Sequence, residues 1–370
     1  MVENPVKKLS IDVLCPRNPF LEFAGIENVV IHAVDALKNN YSVQLIASGE
    51  KTSSFIKNGV KVNTFQRDGI LSNAYFSSAV FSALKKSTAD VIHCHGFNNL
   101  VTLAGLINCK SNQKFIVNLC SSGSSSIFRE ILWLPLILAF NFYAWKITRV
   151  ICLSEFERKR FRKLLFLVPK EKFELIRVGV DVLGFEKINV PKKNNLILSA
   201  GRLVKNKGNA QLICAFKSAK NKLPGLKLEI IGDGPQKEEL INLAKRLNVE
   251  VKFTSAINQT ERKKLFSKLK EAGLFALLSD YESQGIVVSE AIAARTPCIV
   301  TNSSALAEFV KLNGAVGVDN KNISQISEKI IQIVSNPKKF IPVKIGVLTW
   351  EESNTKLINM YNSIFKKING

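Results

Sequence analysis

The chain has 370 residues, of which 46% are apolar and 22% charged, and its formal net charge is +22. That length points to two domains, and that composition fills ordinary cores, which excludes a disordered or low-complexity chain. The positive charge lies in both halves, +9 over residues 1–190 and +13 over 191–370, so the surface favours anionic partners without choosing among nucleotides, lipid headgroups and nucleic acid.

In chain order, short β-branched runs alternate with longer amphipathic ones. Strands are predicted at 10–14, 43–47, 60–65, 91–94, 115–119, 150–153 and 174–178. After the first of them, Ile26, Val29, Val30, Ala33 and Leu37 fall on one helical face. Residues 181–195, with Gly184, Pro191 and two lysines, read as a linker. A second cycle follows, with strands at 196–200, 227–231, 250–253, 274–278 and 298–301. Helices are predicted at 210–218, 238–247, 261–269 and 285–294, and a last one at about 351–367. Strand–helix alternation of this kind predicts an α/β protein of doubly wound parallel sheets. The expected domains are 1–188 and 189–348, with 349–370 as a C-terminal helix packing back toward the first. In such sheets ligands bind beyond the carboxyl ends of the strands, so the residues after strands carry the information.

The seven cysteines include no CxxC pair, and most lie in apolar runs, which suits free thiols in a reducing cytoplasm. The N-terminal stretch holds no apolar run of signal-peptide length. Residues 131–150 are strongly apolar but are interrupted by Pro135, Asn141, Lys146 and Arg149, and 131–140 is half the roughly 20 residues a bilayer span needs. A buried or interdomain helix is expected there, with a helix touching the membrane surface as the alternative.

Strand 196–200 runs into Gly201-Arg202-Leu203 and Lys205-Asn206-Lys207-Gly208. Arg202 offers a planar fork for phosphate and Lys207 a point charge, both near a helix N-terminus that already favours anions. Strand 227–231 ends in Gly232-Asp233-Gly234-Pro235, a tight turn bordering the site. After strand 274–278 comes Ser279-Asp280-Tyr281-Glu282-Ser283-Gln284-Gly285-Ile286, and Glu290 follows one turn into a helix. The carboxylates of Glu282 and Glu290 can accept from paired hydroxyls, and the N–H groups around Ser283, Gln284, Gly285 and Ile286 can meet a phosphate or sugar oxygen. A carboxylate is repelled by bound phosphates, so the two glutamates suit the sugar and ribose ends of a nucleotide-sugar.

These elements, in this order and spacing, resemble family 4 of the retaining glycosyltransferases. The resemblance implies the GT-B architecture of two facing Rossmann-like domains. It implies that Arg202 and Lys207, with Gly201, hold the donor diphosphate, that Glu282 contacts the transferred sugar and that Glu290 contacts the ribose. Residues 16–27 are similar to the family's Gly-Gly loop, with Ala24 in place of the first glycine, so Gly25 would face the donor phosphates. Asp90-Val91-Ile92-His93-Cys94-His95-Gly96 resembles its strand-end histidine motif. His93 and His95 are read as facing opposite sides of their strand, which makes His95, just before Gly96, the catalytic candidate. Three departures stand out: Cys120 where the family has an active-site histidine, Gln284 where an aromatic residue is usual, and Leu278 in place of proline.

The implied reaction is transfer of a hexose or related sugar from a nucleotide-diphosphate sugar to a hydroxyl, with retention. No cofactor or metal is expected, because the sequence has no DxD motif and Arg202 and Lys207 can neutralise the leaving diphosphate. The expected partners are the donor, a glycan or lipid-linked acceptor and an anionic membrane touched peripherally from the cytoplasm. Nucleic acid is not expected, since no aromatic–basic interleaving or helix-turn-helix accompanies the charge. A dinucleotide-dependent dehydrogenase lacks its GxGxxG after the first strand. A non-catalytic nucleotide-sugar-binding subunit remains the alternative.

Overall fold

The computed structural model describes residues 8–21, 25–68, 75–120, 131, 133–257, 261–342 and 346–366. The chain divides into two compact units. The first takes in the described residues up to Val178 and those from Glu351 onward, and the second is Gly179–Trp350.

Eight strands form the sheet of the first unit: β1 (Ser10–Cys15), β2 (Ser42–Gly49), β3 (Ser53–Lys57), β4 (Val60–Gln66), β5 (Val91–His95), β6 (Lys114–Asn118), β7 (Ile147–Cys152) and β8 (Phe173–Leu175). Their order is β3-β4-β2-β1-β5-β6-β7-β8. Every pairing is parallel except β3 with β4. The unpredicted β3 is joined to β4 by Asn58-Gly59, both at positive φ (52° and 78°), which is the backbone a two-residue hairpin needs. Leu14, Ile92, Cys94 and Val117 enter the core on one face, and Ile11, Val13, Cys15 and Val91 enter it on the other. The helix Trp350–Lys366 lays Leu357, Met360, Tyr361 and Ile364 on the second of these cores.

Six parallel strands form the sheet of the second unit: β9 (Lys193–Ala200), β10 (Lys227–Ile231), β11 (Lys252–Thr254), β12 (Ala272–Leu277), β13 (Cys298–Thr301) and β14 (Val316–Val318). In the order β11-β10-β9-β12-β13-β14 the chain winds outward from β9 and then returns to the other side of it. The ends of β9 and β12 therefore flank the topological switch point, where such sheets bind ligands. Strand alternation sends Leu198 and Ala200 into one core and Ile197 into the other.

The α/β class holds, and several local expectations change. Residues 181–195 are not a bare linker. Asp181 caps the helix Val182–Glu186, accepting from Gly184 N at 2.8 Å, and Phe185 is buried 4.3 Å (ring centroids) from Phe266. The apolar segment after residue 130 is only partly buried. Its helix, Leu134–Phe142, packs Phe140 and Asn141 inward, while Leu134, Leu138 and Phe142 are more than half exposed. The helix Ile323–Ser335 and strand β14 were not predicted. Among the described residues no helix is long and apolar enough to cross a membrane.

Candidate functional site

The glycine-rich turns after β9 and β10 are zipped together. Gly201 N donates to Ile231 O, Leu203 N to Asp233 O and Gln236 N to Leu203 O, at 3.0, 2.9 and 3.1 Å. Residues Lys205–Lys207 make one 3₁₀ turn, and Gly208 (φ 70°) starts the helix Asn209–Lys222. A Cβ on Gly208 would lie 2.3 Å from the Leu278 carbonyl oxygen, so only glycine lets this turn approach the end of β12. That approach delivers Lys207 to the loop after β12.

There Lys207 Nζ meets Glu282 Oε1 at 2.5 Å, and Ser279 Oγ donates to the same oxygen at 2.8 Å. The backbone N–H of Glu282 donates to Ser304 Oγ at 3.1 Å, which ties the loop to the turn after β13. Ser304 holds a left-handed φ of 52° to do so. Lys207 and Glu282 are mostly buried, with side chains 21% and 14% exposed, so their attraction is screened less than that of a surface pair. Arg202 stands exposed on the turn that leaves β9.

Gly285, at φ 81°, precedes the helix Ile286–Ala293 and leaves its first N–H groups beside Ser283 and Gln284. Glu290 lies on the buried side of this helix, paired with Arg262 Nη2 from the helix Arg262–Glu271. The Arg262 guanidinium also stacks 5.7 Å above the Phe266 ring. The second Glu290 oxygen, Oε2, is buried without a hydrogen-bond partner. Burial pushes the Glu290 carboxyl above the usual carboxylate range and nearby Asp181 adds to this, while Arg262 pulls it down. A carboxylate with one oxygen anchored and one open is suited to a hydroxyl donor. Asp280 also lines a cleft of about 420 Å³ with Thr301, Ser303, Asp319 and Asn320.

In the first unit, Gly25 begins the helix Gly25–Leu37, and His95 ends β5. The expectation that His93 and His95 face opposite sides is wrong: residues two apart on a strand share a face. Their rings stack at 4.5 Å between centroids, and both are wholly buried. His93 Nδ1 is bonded to the Tyr361 hydroxyl at 2.9 Å, whereas neither ring nitrogen of His95 has a partner. Burial lowers the His93 pKa to about 3 and takes His95 well below the ordinary histidine value, aided by His93. Both rings are neutral in the physiological range. Cys120 (φ 45°) directs its thiol to Asn118 Oδ1 at 3.1 Å, and desolvation, then Glu157, keeps that thiol protonated. Ala24, which replaces a family glycine, and the residues just after Cys120 lie outside the described residues.

Lys207, Glu282, Glu290 and Gly285 were found by reading the residues after strands. Ser279, Ser304 and Arg262 were not. Ser304 sits in a polar Asn-Ser-Ser turn after a strand, a signal of the same kind, but nothing local marks Arg262. Among the described residues no group of three or more His, Cys, Asp or Glu could hold a metal ion.

Two parallel-sheet units of this topology define the class: a protein of the GT-B fold. Residues 184–340 match the profile of the glycosyl transferases group 1, and residues 23–182 match that of glycosyltransferase family 4. The chain belongs to this family. It is 31% identical over 224 residues to an uncharacterized glycosyltransferase of Methanocaldococcus jannaschii, covering 53% of this chain and 55% of that one. It is 28% identical over 222 residues to a GDP-mannose-dependent alpha-(1-6)-phosphatidylinositol monomannoside mannosyltransferase of Mycobacterium tuberculosis, covering 54% and 56%. The matched region thus spans about half the length of these relatives. Sucrose-phosphate synthase from Thermosynechococcus elongatus shares the fold, with a TM-score of 0.81 over 97% of this chain and 100% of that one, at 17% identity.

Proposed function

We propose that the chain transfers a hexose or related sugar from a nucleotide-diphosphate sugar to an acceptor hydroxyl, with retention of anomeric configuration. The observation that carries this reading is the pair of carboxylates that follows β12 at the switch point of the second unit. Glu282 is held by Lys207 and Ser279, and Glu290 is anchored by Arg262 with one oxygen unpaired. Glu290 takes the ribose hydroxyls, and Glu282 orients the sugar. Arg202, Lys207, Gly201 and the N–H groups from Ser283 to Ile286 stabilise the diphosphate as it departs. The leaving phosphate accepts the acceptor's proton. The first unit's own candidates are Gly25, at the start of its helix, and His95, a neutral hydrogen-bonding group at the end of β5. The likeness to a phosphatidylinositol mannoside mannosyltransferase supports a lipid-linked acceptor, although a cell-surface glycan would present the same hydroxyl.

A thermal-shift panel of nucleoside diphosphates and their sugars, with Glu290→Ala beside the wild type, tests the site. One diphosphate should raise the melting temperature of the wild type, and the shift should shrink in the variant. No shift with any of them removes the reading. The protonated Cys120 thiol, in the place of the family histidine, favours one rival, a nucleotide-sugar-binding subunit without activity. Measurable sugar transfer or donor hydrolysis excludes that rival, and an inverted product excludes retention.

A further inference from the structure

From Ile131 to Trp145 the sequence carries no charged residue. Ile131, Leu134, Leu138, Phe142 and Trp145 recur every three or four positions, the spacing of one helical face. Each is more than half exposed, from 52% at Leu134 to 66% at Phe142 and Trp145. The opposite face is fixed: Phe140 is fully buried, with its ring 4.9 Å from that of Phe97. Phe166 and Leu167, 66% and 57% exposed, extend the patch from a second segment. Asn141 clamps that segment in place, donating to Leu164 O and accepting from Leu167 N, each at 2.9 Å. Single exposed apolar residues are ordinary, but a contiguous set on two pinned segments marks an interaction surface.

The surroundings indicate the partner. Residues 142–174 hold nine lysines and arginines against four glutamates. Lys163 and Lys170 are exposed on either side of Phe166 and Leu167, and Arg162 Nη2 bonds Lys170 O at 2.9 Å, which keeps the basic rim beside the apolar crest. Phe142, Tyr143 and Trp145 form an aromatic cluster where the apolar stripe meets Lys146, with ring centroids 4.9 to 5.8 Å apart. An uncharged crest, an aromatic border and a cationic rim match, in that order, the acyl chains, interface and phosphates of a bilayer.

We propose that this face docks the protein on an anionic membrane surface, with Leu134, Leu138, Phe142, Trp145, Phe166 and Leu167 inserted at the headgroup boundary. This deepens the lipid-acceptor reading but stands on the surface alone, so its test reads binding and not transfer. The full chain is sedimented with phosphatidylcholine vesicles, with and without phosphatidylglycerol, at low and high salt. The triple variant Leu138→Ser/Phe142→Ser/Trp145→Ser and the pair Lys163→Glu/Lys170→Glu are run beside it. The wild type should bind the anionic vesicles and release in salt. Each variant should bind about tenfold or more weakly, with unchanged circular dichroism and donor-induced thermal shift. Lack of vesicle binding by the wild type, or binding that the triple variant retains, overturns the proposal. A wild-type dimer that the triple variant dissolves, without vesicle binding, assigns the face to a second copy of the chain and also overturns it.

Discussion

Lys207 and Glu282 are 75 residues apart in the chain, and their side chains meet at 2.5 Å, Nζ to Oε1. The contact joins the turn after β9 to the loop after β12, the two strands between which the sheet reverses its winding. It places a cation directly beside a carboxylate at that point, and each holds the other in position.

Lys207→Ala should weaken donor nucleotide binding about 10- to 100-fold, the effect of losing a charge-assisted contact of ~1.5–3 kcal/mol. Isothermal titration with the stabilising diphosphate measures it. Ser279→Ala, which leaves the ion pair in place, should lose less. Equal affinities for wild type and Lys207→Ala would remove Lys207 from the donor site.

Glu290 gives a pH signature. Its carboxyl is raised above the unfolded value of 4.5, first by burial and then by Asp181, against the pull of Arg262. A raised carboxyl binds its proton more tightly in the folded chain, so its contribution to stability is complete below that value and is lost as pH rises through the folded pKa. Glu290→Gln should therefore gain stability relative to wild type between pH 4.5 and neutrality, as read from urea unfolding at a series of pH values. A difference that is flat with pH, or that runs the other way, contradicts the assignment.

Gly208→Ala should be among the costlier single changes in the second unit. The position combines a left-handed φ of 70° with a Cβ contact of 2.3 Å to a backbone carbonyl, which has no rotamer to yield. A loss of about 1–3 kcal/mol is expected from the backbone strain, along with weaker donor binding as Lys207 is displaced. Denaturant unfolding and titration together check it.

Tyr361→Phe tests the C-terminal helix. Removing the hydroxyl leaves His93 Nδ1 buried without its partner, at a cost of about 1–3 kcal/mol. The effect should appear as a lower unfolding midpoint, with the donor-induced thermal shift preserved.

Local pattern was enough to mark every parallel strand but β14 and the residues that follow them, because strand period, glycine-rich turns and polar loop ends are written in neighbouring positions. Gly201, Lys207, Glu282, Gly285 and Glu290 were legible on that basis. The Asn58-Gly59 hairpin was equally local and could have been read. The shared face of His93 and His95 was fixed by strand period as well, and was misjudged although the sequence contained it.

The sequence by itself determined the strand–helix alternation, the family and the positions of the candidate site residues, since each depends on residues near one another in the chain. Only the tertiary structure decided which groups partner them: Arg262 on Glu290, Ser304 beneath Glu282, Tyr361 on His93. It also decided that the apolar stripe at 131–145 shows Leu134, Leu138, Phe142 and Trp145 to solvent. These outcomes depend on how distant segments fill space around a sheet, and an apolar run reads the same whether a neighbour covers it or not.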